Sequence, residues 1–193
     1  MSEKETWLPS IELLEETLKE ERRRKKGDKA FHWSFFLFVA LVAAIVALTV
    51  LLTPIIQIRG SAMEPTLNNK DIVVAIKNRK YVSGDVIALS FHGNYLVKRV
   101  IATGGEWVDI DKDGNVYVNG AVIDEPYLGE KSFGECDIKL PYLVPDGMCF
   151  VMGDQRRLSL DSRNSAIGCV SDEDVIGRLL WRIWPLNAFG SMQ

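Results

Sequence analysis

The sequence predicts a mostly β domain carried behind an N-terminal amphipathic helix and one transmembrane helix. Three observations point there. No charged residue occurs from Phe31 to Ile56. No helical period of any length follows Ile56. The later chain instead alternates short apolar runs with turn signals such as Asp113-Gly114-Asn115 and Asn119-Gly120, the pattern of strands joined by tight turns. The expected division of the 193 residues is 1–30, a cytoplasmic amphipathic helix with a basic flank, 31–57, a transmembrane anchor, and 58–193, an extracytoplasmic β domain.

Pro9 to about Lys26 reads as a helix because Ile11, Leu14 and Leu18 recur at three- and four-residue spacing, with Glu and Lys on the other face. Acidic residues lead and basic ones follow, which suits the helix dipole. Gly27-Asp28 ends it. The charge-free run then exceeds the ~20 residues a helix needs to cross a bilayer. It is too long for the 7–15-residue core of a cleavable leader and follows too long a polar segment. Arg22, Arg23, Arg24, Lys25, Lys26 and Lys29 precede it, and only Arg59 closely follows. That asymmetry places the N-terminus in the cytoplasm and the β domain outside, with the lipid bilayer as a partner.

After the anchor, strands are expected at Asp71–Ile76, Val86–Leu89, Tyr95–Ala102, Val108–Ile110, Val116–Val118, Cys149–Met152 and Val175–Trp184. A net charge of -3 gives no reason to expect nucleic acid, and the one dense basic run is absorbed by membrane orientation. Cys136, Cys149 and Cys169 form no CxxC pair, and their odd number excludes a fully paired framework. Scattered free thiols are the simpler reading beside a single Cys136–Cys149 bridge. Neither metal-ligand spacing nor a phosphate-cradling glycine loop is present, so no metal and no cofactor is expected. Only His32 and His92 are available to a Ser-His-Asp triad, and nothing near His92 favours one.

If the domain is a hydrolase, a lysine is the better general base. In Leu96-Val97-Lys98-Arg99-Val100-Ile101, strand alternation puts Lys98 on a face with Leu96 and Val100. An apolar setting penalises the ammonium and lowers its pKa, and a neutral amine can take the proton of a serine hydroxyl. An ordinary strand lysine would instead snorkel to water.

The ordered motifs add to this. Met63-Glu64-Pro65-Thr66-Leu67, directly after the anchor, resembles the Ser-Met-x-Pro-Thr-Leu box of the type I signal peptidases. Gly84-Asp85-Val86-Ile87 resembles their next box, and Lys98-Arg99-Val100-Ile101 with Gly104-Gly105-Glu106 the lysine box. Val116-Tyr117-Val118-Asn119-Gly120 and Glu125-Pro126-Tyr127 are similar to the connecting region. Met152-Gly153-Asp154-Gln155-Arg156 with Ser159, Asp161, Ser162 and Arg163 resembles the last box. The resemblance runs over about residues 55–186, in the family's order.

It implies a membrane-bound serine endopeptidase with an antiparallel β fold, acting on signal peptides of exported preproteins that end in small residues, near the export machinery. By that likeness Lys98 is the general base and residue 62 the nucleophile position, with the backbone N–H of residue 62 helping to bind the oxyanion. Met63 follows it in the loop. Gly60 stands where some relatives carry a second oxyanion donor, a serine. Ser159 would orient the lysine amine, and Asp161 with Arg163 would hold the loop that carries Ser159. Gln155 and Glu106 are mild departures. Ala62 is not, because a methyl group cannot attack a carbonyl. The full set of other positions favours an inactivated copy of a working peptidase, which binds and does not cut. A naturally non-catalytic relative that assists assembly of exported or pilin-like proteins is the alternative. Ser61 is a poor substitute, since adjacent side chains of an extended segment point to opposite sides.

Overall fold

The computed structural model describes residues 15, 19, 32–49, 53–77 and 80–192. Most of the expected helix from Pro9 to Lys26, and the basic run within it, lies outside the described residues; Glu15 and Lys19 are each helical. The chain divides into two compact units, Met1–Val50 and Leu51–Gln193.

In the first unit, helix α1 (His32–Thr49) is apolar on every face. Its 18 residues rise about 27 Å, close to the ~30 Å of a bilayer's hydrocarbon core. Trp33, Phe35, Phe36, Leu41 and Ile45 are all exposed. A surface broken only by His32, Ser34 and Thr49, with no polar stripe, suits lipid rather than a protein core. The Thr49 hydroxyl donates back to the Val46 carbonyl at 2.8 Å, so this polar group is satisfied within the helix.

The described strands of the second unit all pair antiparallel, and a short 3-10 helix, Leu186–Ala188, follows the strand Val175–Trp184 in the chain. The strands are β1 (Ile55–Gln57), β2 (Ile72–Ile76), β3 (Val86–Phe91), β4 (Asn94–Thr103), β5 (Trp107–Ile110), β6 (Val116–Val118), β7 (Ala121–Val122), β8 (Tyr142–Leu143), β9 (Met148–Met152), β10 (Val170–Ser171), β11 (Val175–Trp184) and β12 (Gly190–Ser191). The larger sheet runs β1-β2-β11-β3-β4-β9-β10, with β12 also on β11; the smaller runs β7-β6-β5-β8. Every strand expected from the sequence is present, within one or two residues at its ends. Sheet pairing starts earlier than the expected end of the anchor, because Ile55–Gln57 pairs with Ile72–Val74.

Turn chemistry sets the small sheet. Asn119 and Gly120 take φ of 52° and 81°, the left-handed pair that lets a two-residue hairpin follow strand twist. Between β7 and β8 lies a long connection without regular structure, and it carries Glu125-Pro126-Tyr127.

The larger sheet is buried on both faces at its centre. Val86 and Ala88 of β3 pack with Ile56, Ile58, Met63, Leu67 and Val73 on one side. Ile87 and Leu89 pack with Val100, Val151 and Val175 on the other. A third cluster, from Ile101, Phe150 and Met152 to Val108, Ile110 and Val116, joins the two sheets. Cys136, Cys149 and Cys169 are all free thiols, so the Cys136–Cys149 bridge is not formed.

Candidate active site

The site starts where β1 runs out. The Ile58 N–H donates to Asp71 O at 2.8 Å, and the Lys70 N–H donates to Ile58 O at 2.9 Å, so pairing continues one rung beyond β1. Gly60 then turns the chain with φ of 85°, a conformation glycine adopts without strain, and its N–H donates to Asn69 Oδ1 at 3.2 Å. Met63 and Leu67 are buried in the core, and Leu67 N–H donates to Met63 O at 2.8 Å. These two side chains pin a short loop and leave residue 62 at its partly exposed crest.

Ala62 and Lys98 line one cleft. Its walls are residues 56–60 with Met63 on one side and residues 95–98 on the other, and Ser61 is not part of it. Among the described residues, β1 pairs only with β2, and the first half of β4 pairs only with β3, because β9 joins it from Arg99 onward. Two strand edges without partners among the described residues therefore face the cleft.

Lys98 is only 3% exposed. Ile87 lies opposite it and Leu89 opposite Leu96, so its face of the sheet is apolar as alternation requires. Its Nζ is 2.7 Å from Ser159 Oγ. Burial lowers its pKa from the usual 10.5 to about 8; the Asp161 and Asp154 carboxylates oppose that and the Arg163 guanidinium reinforces it. Near neutral pH, roughly a tenth of the side chain is then the free amine.

The Ser159 loop is held from within. Arg163 grips Asp161 with two hydrogen bonds, Nε to Oδ1 and Nη2 to Oδ2, both 2.9 Å. Both side chains are fully buried. Arg163 also donates to the carbonyls of Phe133 and Arg156, each at 2.8 Å. Burial pushes the Asp161 carboxyl up, but the guanidinium and the Gly153 N–H outweigh it and hold it below the usual range.

Several groups quoted above only as parts of motifs prove to have structural work. Gly153 donates its N–H to Asp161 Oδ2 at 3.0 Å. A Cβ on Gly153 would sit 2.5 Å from Ala62 O and closer still to Ser159 Oγ, so only glycine lets these segments converge. The Ala62 carbonyl is fixed by the Gln155 N–H at 3.0 Å. Beside Lys98, Arg99 binds Asp154 through Nε (2.8 Å) and Nη2 (2.6 Å), reaches Gly84 O at 2.8 Å and lies 3.8 Å over the Tyr127 ring. Thr66 of the residue-62 loop donates to the same Asp154 carboxylate. The motif spacing signalled these residues; nothing in the sequence could reveal which partner each would find. Among the described residues, no His, Cys, Asp and Glu cluster is placed to hold a metal.

This arrangement places a buried amine, tuned toward neutrality, beside a loop crest and an open strand edge, which suits proton transfer at an extended peptide. A family model described as signal peptidase, peptidase S26, matches residues 30–184. The chain is 33% identical over 181 residues to a signal peptidase I of Bacillus licheniformis, covering 87% of this chain and 96% of that protein. It is also 33% identical over 179 residues to a signal peptidase IB of Staphylococcus aureus, covering 81% and 91%. A crystal structure of a signal peptidase I from Enterococcus faecalis is similar with a TM-score of 0.45 at 31% identity, covering 52% of this chain and 97% of that one.

Proposed function

We propose, since this chain belongs to the signal peptidase family, peptidase S26, that it is a membrane-anchored Ser-Lys endopeptidase scaffold for signal peptides of exported preproteins, and that with Ala62 it binds them without cutting. One observation carries the assignment of roles: the buried Lys98 amine rests 2.7 Å from Ser159 Oγ and lines the same cleft as residue 62.

With serine at residue 62 the chemistry runs as follows. Neutral Lys98 takes the hydroxyl proton as Oγ attacks the scissile carbonyl. The ammonium returns that proton to the departing amine, and the acyl chain stays on Oγ. Neutral Lys98 next draws a proton from water, which attacks the ester; the acyl–Oγ bond breaks as the ammonium returns that proton to Oγ, which frees the acid and restores the serine and the neutral amine. The N–H of residue 62 stabilises the oxyanion, a contribution of about 3–4 kcal/mol for such a donor; Gly60 brings no hydroxyl to assist. Ser159 holds the amine in position, and the Asp161–Arg163 pair holds Ser159. With Ala62 the first bond cannot form.

The substrate adds a strand along the open edges of β1 and β4, with alternate side chains facing shallow apolar walls. Small side chains fit there and large ones clash. α1 serves as the anchor, with the basic flank cytoplasmic, residues 58–193 outside and the export machinery near at hand. Ala62 also suits a second reading, a non-catalytic helper for assembly of exported or pilin-like proteins. The discriminating experiment is to place Ala62→Ser in membranes with a preprotein ending in Ala-x-Ala. Cleavage after the small residue supports the peptidase; a folded variant that leaves the preprotein intact, with an active peptidase run in parallel, refutes it. Cleavage by the Ala62 chain that disappears on Ser61→Ala would move the nucleophile to Ser61.

A further inference from the structure

Glu125 lies far in sequence from both Lys98 and residue 62, on the connection that leaves the small sheet. Its carboxylate is buried and grips the guanidinium of Arg156, one oxygen at 3.2 Å and the other in a shorter contact. Both side chains are wholly shielded from solvent. Tyr127 donates to the same carboxylate at 2.9 Å, and its ring lies under Arg99. Arg156 in turn donates from Nε to the Gly153 carbonyl at 3.1 Å. Gly153 is therefore pinned at both backbone polar groups, its N–H by Asp161 and its C=O by Arg156. It is also the residue against which Ser159 Oγ and the Ala62 carbonyl converge without room for a methyl group.

We propose that Glu125 is a positioning residue for the site: through Arg156 it fixes Gly153, and through Gly153 it sets Ser159 against the Lys98 amine. A buried ion pair contributes little net stability against an apolar pair of the same size. This one instead fixes a direction, since a bidentate guanidinium has one orientation in which Nε meets the Gly153 carbonyl. The charged groups around Lys98 itself are Asp161, Arg163 and Asp154. Glu125 reaches it only through the loop. Loosening Gly153 admits water to a buried amine and relieves its desolvation.

The proposal rests on the peptidase reading for its kinetic arm alone. In the full chain in detergent, lysine labelled with 13C reports Lys98 directly, with Lys98→Met assigning the signal. Glu125→Gln and the charge-free pair Glu125→Leu with Arg156→Met should each raise the Lys98 pKa by about one unit or more. In the Ala62→Ser background they should lower kcat about tenfold or more near pH 7 and leave KM within about twofold, with Glu125→Asp recovering part of the loss. If Glu125→Gln leaves an unpaired charge that prevents folding, the double variant still decides the matter. A double variant that melts with the parent and keeps both the Lys98 titration and kcat overturns the proposal. If Ala62→Ser never cleaves, the peptidase reading falls, and the titration still decides the role of Glu125.

Discussion

Lys98 carries the sharpest residue-scale consequences. Its pKa is lower in the folded chain, about 8, than the 10.5 of an exposed lysine. The fold therefore pays a penalty on the ammonium that is complete below pH 8 and disappears as pH rises toward 10.5. Lys98→Met should stabilise the folded chain at pH 7 by about 1–3 kcal/mol, read from denaturant midpoints, and the gain should shrink above pH 8. In the Ala62→Ser enzyme the base must be unprotonated, so kcat/KM should rise with pH along an acid limb centred near 8. A limb centred at 10 or above would show that the amine is not desolvated in solution. Gly153 makes a steric prediction. Gly153→Ala places a methyl group 2.5 Å from the Ala62 carbonyl, so it should cost about 1–3 kcal/mol of stability and remove most turnover from the serine-restored enzyme. Strand alternation put Lys98 on an apolar face, and the Lys98-Arg99-Val100-Ile101 motif, in order with the others, singled it out. The steric role of Gly153 was not legible, because the demand for glycine comes from two segments far apart in sequence.

At the scale of elements, the crest of residue 62 is held by side chains that sink below it. Leu67 is fully buried between β1, β2 and β3. Leu67→Ala should destabilise by about 2–5 kcal/mol through the cavity it leaves. In the Ala62→Ser background, preprotein binding should weaken less than kcat, since the cleft walls of residues 95–98 remain. Comparing chemical denaturation with single-turnover rates tests this. The longer strands were readable because short apolar runs bounded by turn residues are a real signal. β7, β8, β10 and β12 span two residues each, too short for any period, and exist because neighbours supply their pairing. β1 was hidden differently: Ile55 and Ile56 continue the apolar run of the membrane segment, and hydrophobicity cannot distinguish lipid from a sheet partner. The Asp161–Arg163 pair looks in sequence like any exposed ion pair, and its burial came from the loops that close over it.

For the molecule as a whole, the one long apolar helix among the described residues and the signal peptidase family are consistent with a membrane-anchored chain, and on the proposed function tethering raises the local concentration of enzyme and substrate. The basic flank predicts which side. In intact cells whose outer surface is exposed to protease, a tag fused after Gln193 should be digested and a tag before Met1 protected; the reverse pattern would invert the topology. Sequence alone determined the class of the chain: an uncharged run long enough for a bilayer, strands marked by short apolar runs between turn signals, and an ordered set of motifs with alanine at residue 62. These are properties of local pattern and chemical identity, which a linear string records. Only the tertiary structure decided which edges of β1 and β4 stay open, that Gly153 sits where Ser159 Oγ and the Ala62 carbonyl converge, and that Glu125 reaches Gly153 through Arg156. Those depend on where distant segments meet and what water they exclude, and distance and desolvation exist only once the chain has folded.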